Sequence, residues 1–263
     1  MKKSRRHALG QHFLKNPRVL RKIVDCISPT AQDTILEVGA GEGHLTALLA
    51  EKAGRVIALE KDPRLIPGLM GKKLPNVSLL EVDVLEIRLR DIIPVPLPVT
   101  VVGNLPYAIS TRFLYKLIEE REAVKAGHFL LQKEVAERVC SPPGSRRYGP
   151  LGILLQNHFQ PRIAFTLGPG AFSPPPKVDS ALLALAPRSE PLAPTIRDES
   201  EFRGFVRSLF LQRRKTIGNN LKHMGKLPAE IADASSRCGI DPGVRAEQLD
   251  LSQIVCLYEA FFG

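Results

Sequence analysis

The chain has no apolar run of the roughly 18 residues that a membrane-spanning helix needs, so no transmembrane segment is expected. Its N-terminus is basic at Lys2, Lys3, Arg5 and Arg6, yet no apolar stretch of signal-peptide type follows. The four cysteines, Cys26, Cys140, Cys238 and Cys256, lie far apart with no CxxC pair. That spacing argues against a zinc site and against a disulfide framework, and it fits a reducing cytosol and a cytoplasmic protein. The six histidines are equally scattered, so no metal is expected. Internal repeats and low-complexity tracts are missing too, and nothing points to a dimer, so a monomer is expected.

What is present is an ordinary globular composition over 263 residues, 44% hydrophobic and 24% charged, enough for a large domain and a small one. The net charge is +10. Such a surface attracts polyanions, which makes nucleic acid a candidate partner, although a merely basic soluble protein has the same balance.

Short β-branched runs at Thr34–Val38, Arg55–Leu59, Val77–Leu80, Val99–Val102 and His128–Leu131 alternate with helical stretches such as His44–Lys52 and Thr111–Glu120. This alternation predicts a parallel sheet covered by helices on both faces. Two more extended runs, Ile163–Leu167 and Ala181–Ala186, flank a Gly/Pro-rich loop and read as an antiparallel pair at the sheet edge. The proline-rich stretch Pro187–Pro194 reads as a linker. Beyond it Phe202, Phe205, Val206, Leu209 and Phe210 repeat at helical spacing. The expected domains are therefore 1–187, an α/β domain, and 188–263, a small all-helical one.

The first strand runs into Gly39-Ala-Gly41-Glu-Gly43, and a helix begins at His44. Strand, glycine turn and helix start form a nucleotide-type pocket, because glycine lets backbone approach a ligand closely. Glu60 ends the next strand, where a carboxylate can accept both hydroxyls of a ribose. Asp83 follows the third strand and can take a hydrogen bond from an adenine amino group. The spacing is GxGxG, with His44 where a dinucleotide fold wants its third glycine, and Glu37 precedes it. That combination favours S-adenosylmethionine over NAD.

The fourth strand leads into Asn104-Leu105-Pro106-Tyr107. An exocyclic adenine amine is a poor nucleophile, because its lone pair is delocalised into the ring. The Asn104 side-chain oxygen and the Leu105 carbonyl are natural acceptors for its two N–H groups. Pro106 stiffens the turn, and Tyr107 offers a stacking face for a flipped-out base. No strong base is needed, so catalysis rests on positioning and electrostatic fit. Phe172, in the proline-braced loop Gly168–Pro176, is a candidate for the opposite wall of a base clamp.

With these motifs in place, the chain resembles the rRNA adenine N6,N6-dimethyltransferases, more narrowly their bacterial small-subunit branch. The resemblance rests on Leu9-Gly-Gln-His-Phe-Leu14, Glu37-Val-Gly-Ala-Gly41, Asn104-Leu-Pro-Tyr107, Gln132-Lys-Glu-Val-Ala136, Phe172-Ser-Pro-Pro-Pro-Lys-Val-Asp-Ser180 and Gln212-Arg-Arg-Lys-Thr216. It implies a Rossmann-like class I methyltransferase domain, with a seven-stranded and mostly parallel sheet, and a small all-helical C-terminal domain. It also implies that His12 and Leu14 contact S-adenosylmethionine, with Gly39 under its methionine part, and Gly41 of the same turn is a further cofactor-binding candidate. Glu60 would then hold the ribose, Asp83 the adenine, and Asn104 would lie between cofactor and amine. Phe172 would face Tyr107 across the target adenine.

The implied substrate is a pair of adjacent adenosines in the 3′-terminal hairpin of 16S rRNA, within a 30S assembly intermediate. Each would receive two methyl groups. Two places depart from the family: Gly218 stands where an arginine is usual, and Tyr148-Gly-Pro-Leu-Gly152 where Tyr-Gly-Arg-Leu-Ser is usual.

From Glu201 to Lys226 seven Lys/Arg face a single acid. Arg203, Arg207 and Arg214 fall close to one helical face, and Arg213 and Lys215 adjoin them. Arg146 and Arg147 extend a candidate RNA track. Competing readings are the 23S rRNA methyltransferase of antibiotic resistance, which shares the Asn-hydrophobic-Pro-Tyr core, and a non-catalytic assembly factor. A DNA adenine methyltransferase is more remote, since those enzymes usually carry an acidic residue where this chain has Asn104.

Overall fold

A computed structural model describes residues 12–93 and 96–263. The basic cluster of Lys2, Lys3, Arg5 and Arg6 and the start of the Leu9–Leu14 motif lie outside these residues. The described chain begins with a two-residue strand, β1 (Phe13–Leu14), and helix α1 (Pro17–Ile27). Asn16 caps α1 by accepting from the Arg18 and Val19 amides, and Pro17 occupies the first helical turn, where a missing N–H does no harm.

Strands and helices then alternate: β2 (Thr34–Val38), α2 (His44–Ala50), β3 (Arg55–Glu60), α3 (Ile66–Met70), β4 (Val77–Glu81) and α4 (Leu89–Ile92). They continue with β5 (Val99–Asn104), α5 (Tyr107–Glu119), β6 (Val124–Gln132), α6 (Lys133–Cys140) and α7 (Pro150–His158). β7 (Phe159–Leu167), the two-residue β8 (Phe172–Ser173) and β9 (Ser180–Pro187) complete the strands. The rest is helical: α8 (Glu199–Leu209), α9 (Ile217–His223), α10 (Pro228–Arg237) and α11 (Leu251–Phe262).

Seven strands form one sheet in the order β4-β3-β2-β5-β6-β9-β7. The pairs β2–β3, β3–β4, β2–β5 and β5–β6 are parallel, and β9 runs antiparallel to β6. β2 and β3 are buried along nearly their whole length, as continuous apolar runs covered on both faces should be. From β2 the chain winds outward through β3 and β4, then returns to start β5 on the other side of β2. The order reverses between β2 and β5, and ligands in open α/β sheets bind outside the strand ends at such a point.

Gly103 keeps these two strands together. It pairs with Val38, and a Cβ at Gly103 would lie 2.6 Å from the Val38 carbonyl oxygen. Gly103→Ala must therefore push β5 from β2. Overpacking of this kind costs about 1–3 kcal/mol, and at this chain size each kcal/mol lowers Tm by roughly 2–4 °C. An unchanged melting curve would show that the sheet absorbs the methyl without strain.

Several boundaries differ from the sequence reading. α1 and α7 carry no expected counterpart. β6 begins at Val124 and β7 at Phe159, each four residues before the expected run. α5 begins at Tyr107, so the tetrapeptide is a strand end and a helix start rather than a free turn.

The chain divides into two compact units, Met1–Ala136 with Gln160–Pro187, and Glu137–Phe159 with Arg188–Gly263. The second unit thus takes residues 137–159 as well as the expected helical tail. Inside it, a Cβ at Gly152 would stand 2.8 Å from the Arg138 carbonyl, so α7 presses directly on the end of α6. The proline-rich stretch is tied down rather than loose: Arg188 and Leu192 donate to His158 and Asn157 carbonyls, and the Asn157 side chain accepts from the Ala193 amide. Both departures from the family pattern are packing features. Gly152 allows the α6–α7 approach, and Gly218 is buried with its N–H on the Pro242 carbonyl at 3.0 Å.

Cys238 and Cys256 form a disulfide, against the expectation of none. Their separation of 18 residues says nothing of their separation in space: α10 packs on α11 and brings the two Cα atoms to 5.7 Å. Cys26 and Cys140 are free thiols, and burial pushes Cys140 up to about 11. The cysteine pattern therefore gives no support to a reducing compartment. Among the described residues no helix is long and apolar enough to cross a membrane.

Candidate active site

A cavity of about 940 Å³ opens over the carboxyl ends of β2, β3, β4 and β5, within the size range of cofactor pockets. Its walls include Gly39 and Gly41 after β2, Glu60 ending β3, Asp83 after β4, and Asn104, Leu105 and Tyr107 after β5. His12 and Leu14 close it from the N-terminal segment. Residues spread over about 95 positions of sequence thus meet in one place.

The glycine turn is held open by backbone that only glycine adopts easily. Gly39, Gly41 and Gly43 have φ of 74°, 60° and 73°. The Gly39 and Ala40 amides both donate to the Leu59 carbonyl at 2.9 Å, which ties the turn to the end of β3. Glu60 secures it a second time. It is 5% exposed, with Oε2 accepting from the Gly41 amide and Oε1 from the Asp62 amide, each at 2.8 Å. A Cβ at Gly39 would point at the Asn104 carbonyl and the Pro106 ring, narrowing the space between glycine turn and tetrapeptide. That narrow passage lined by acceptors fits an adenosine-bearing cofactor with a reactive methyl.

Asp83 accepts from Lys61 Nζ at 2.5 Å and from the Leu85 amide at 2.9 Å. Burial would raise its carboxyl, but the Lys61 hydrogen bond, the Leu85 amide and the charges of Lys61 and Arg112 outweigh it and hold the group low. Arg64 grips Asp62 with two nitrogens, at 2.7 and 2.5 Å. Lys61, Asp62 and Arg64 all line the cavity and were not anticipated. Their only advance signal is position, immediately after Glu60 at a strand end.

Asn104 is positioned through its amide nitrogen, which donates to the His12 carbonyl at 2.9 Å. The Leu105 amide donates to the Leu130 carbonyl at 3.0 Å, fixing the backbone of the tetrapeptide on β6. Tyr107 is half-buried, with its hydroxyl 2.7 Å from Ser180 Oγ and its ring 5.4 Å from the His12 ring. Burial raises its phenol, opposed by the Ser180 contact, so it stays neutral. The His12 ring is anchored at 2.8 Å on the Pro174 carbonyl.

Phe172 is placed differently from the expectation. β8 pairs with β1, Leu14 opposite Phe172, and this tucks the ring into a core with Leu14, Leu20 and Ile23 at 6% exposure. It does not line the cavity. Facing an adenine would require its ring to leave that core, losing about 1.5–3 kcal/mol of burial. Stacking on a base returns roughly 1–3 kcal/mol, so the move brings no clear net gain.

The basic residues fall in the second unit. Arg214 and Lys215 are exposed in the turn after α8, so Arg214 does not share the helical face of Arg203 and Arg207. Arg213 donates from one guanidinium nitrogen to the Arg146 and Tyr148 carbonyls, at 2.8 and 3.0 Å, and Arg147 pairs with Glu137 at 3.3 Å. Arg213 thus organises the loop carrying Arg146 and Arg147.

A mixed, mostly parallel seven-stranded sheet with its glycine turn and acidic strand ends at the switch point defines a Rossmann-like class I methyltransferase. Residues 2–261 match the family model for ribosomal RNA adenine dimethylases, and the chain belongs to that family. It is an S-adenosylmethionine-dependent rRNA adenine methyltransferase. A protein named ribosomal RNA small subunit methyltransferase A, from Geobacter sulfurreducens, is 42% identical over 259 residues, covering 96% of this chain and 93% of its own. Among solved structures, a dimethyladenosine transferase from Plasmodium falciparum matches at TM-score 0.78 and 26% identity, over 95% of this chain and 97% of that one. The 23S rRNA methyltransferase ErmE matches at TM-score 0.71 and 26% identity, over 94% and 98%.

Proposed function

We propose that the chain methylates N6 of two adjacent adenosines in the 3′-terminal hairpin of 16S rRNA. It would transfer four methyl groups in all, acting as a cytoplasmic monomer on a 30S assembly intermediate. The observation that carries this reading is Asn104 at the end of β5, with its amide nitrogen engaged by His12, which leaves Oδ1 to accept from the target amine. The Leu105 carbonyl is the second acceptor. Together they hold the amine with its lone pair turned out of the ring plane. S-adenosylmethionine supplies a methyl group on a positively charged sulfur. The chain's residues bind and orient: Glu60 takes the ribose, Asp83 the adenine, Gly39 and Gly41 the methionine part, and His12 and Leu14 cover it.

Tyr107 supplies the stacking face. The proton leaves a cationic amine after transfer, so the site needs acceptors rather than a strong base. Arg146, Arg147, Arg203, Arg207, Arg214 and Lys215 contribute cations for rRNA phosphates, with Arg213 holding their loop. The small-subunit target is favoured over 23S rRNA because the 42%-identical relative carries a small-subunit name. The test is mass spectrometry of rRNA after incubation of enzyme and cofactor with undermethylated small subunits. Two neighbouring dimethyladenosines near the 3′ end are expected. Methylation confined to 23S rRNA, or none, would overturn the reading.

A further inference from the structure

A second concavity, about 590 Å³, lies beside the first and is lined by Lys15, Arg18, Arg21, Ala171, Phe172 and Ser173, among others. The β1–β8 ribbon is the shared wall. Phe13 and Leu14 on β1 line the cofactor cavity, while Phe172 and Ser173 on β8 line the groove. The backbone bond from Lys15 to the Ala171 carbonyl continues that ribbon by one residue.

The groove is cationic. Lys15 is committed to Glu42 at 2.9 Å, but the exposed side chains of Arg18 and Arg21 make no ion pair among the described residues. They stand three apart on α1, hence on one face, with Cβ atoms roughly 5–6 Å apart. The Asn16 cap already satisfies the first amides of α1, so the guanidinium groups, not the helix end, give the groove its character.

We propose that this groove holds the phosphodiester backbone of the RNA strand flanking the target adenosine, with Arg18 and Arg21 each engaging a phosphate. The proposal rests on the RNA-methyltransferase reading, because the strand must reach the groove from a base inserted beside Asn104. Charge and position argue for it together. A flipped-out nucleotide draws its neighbours against the rim of the site, and this rim carries two cations with no acid paired to them among the described residues. Phe172 then acts from its buried position by holding the floor of the groove, rather than as an open stacking wall.

The test compares full-length wild type with Arg18→Ala/Arg21→Ala and Arg18→Lys/Arg21→Lys. Filter binding of the 16S 3′-terminal hairpin across a salt series, cofactor affinity, and methyl transfer to undermethylated small subunits are the readouts. The alanine pair is expected to lower the salt slope of log K by about 1.4, at about 0.7 per single-strand phosphate. It should also raise KM about tenfold, with kcat, cofactor affinity and Tm unchanged, and the lysine pair should recover most of the loss. An unchanged slope and KM in the alanine pair, or a loss shared by cofactor binding, would overturn the proposal. Failure of the enzymatic reading looks different: wild type transfers no methyl, while the binding arm still reports on the groove.

Discussion

Asn104→Ala is expected to lower kcat for methyl transfer about 10²–10³-fold, the usual loss when one preorganised transition-state partner is removed. A conjugated amine reacts only when its lone pair leaves the ring plane, and the energy for that must come from acceptors fixed in advance. Asn104 is fixed by its Nδ2 bond to His12 and by its place at the end of β5, beside the point where the sheet order reverses. Alanine removes the acceptor and also frees the His12 carbonyl, so cofactor affinity should fall a few-fold as well.

Asn104→Asp separates the two effects. It restores an acceptor but cannot donate to His12, and it sets a carboxylate against a carbonyl oxygen. Activity between wild type and alanine, with cofactor affinity as poor as in alanine, is expected. Single-turnover transfer with saturating cofactor measures the first quantity, and equilibrium dialysis the second. If Asn104→Ala turns over within threefold of wild type, the side chain has no role in the chemical step.

The strand–helix alternation and the strand ends were legible because burial on both faces leaves continuous apolar runs, and because glycine at positive φ leaves few alternatives. Gly39, Glu60, Asp83 and Asn104 could be assembled from those signals alone, since one topological rule puts consecutive strand ends on one rim. Contacts that depend on side-chain direction were not legible. Nothing in the spacing of Cys238 and Cys256 announces that α10 packs on α11. Phe172 reads as a loop aromatic until the pairing of β8 with β1 turns it inward. Arg213 reads as one more surface charge, and only the fold shows that it is committed to the backbone of the loop at 146–148. The expected division missed the segment 137–159 for the same reason. Residues 137–159 lie between β6 and β7 in sequence but belong to the other unit through the packing of α7 on α8 and the Arg213 hydrogen bonds to the Arg146 and Tyr148 carbonyls.

Glu37 leads to the second large effect, on stability rather than rate. It is 2% exposed on β2, and its Oε2 has no hydrogen-bond partner among the described residues. Burial pushes its carboxyl up to about 8; the Thr46 hydroxyl opposes this without reaching hydrogen-bond geometry, and the Glu60 charge adds to it. A group whose folded value lies above its unfolded one binds more protons in the folded state between the two. Stability then falls as pH rises through that interval, by roughly 1.4 kcal/mol per unit. His128 works the opposite way lower down. Burial, with Arg162 nearby, depresses it to about 4, so it makes stability rise with pH between about 4 and 6.5. The two slopes oppose each other below about 6.5, and only that of Glu37 remains above. Between about pH 6.5 and 8 the wild type should therefore lose roughly 2 kcal/mol, well before the Cys140 thiol matters. Glu37→Gln has the shape of the neutral acid and cannot ionise, so its stability should stay level across that window and exceed wild type at pH 8. Urea denaturation at pH 6.5, 7.25 and 8 measures both proteins. A slope that persists in Glu37→Gln would assign the titration to another group and leave the buried carboxyl ionised.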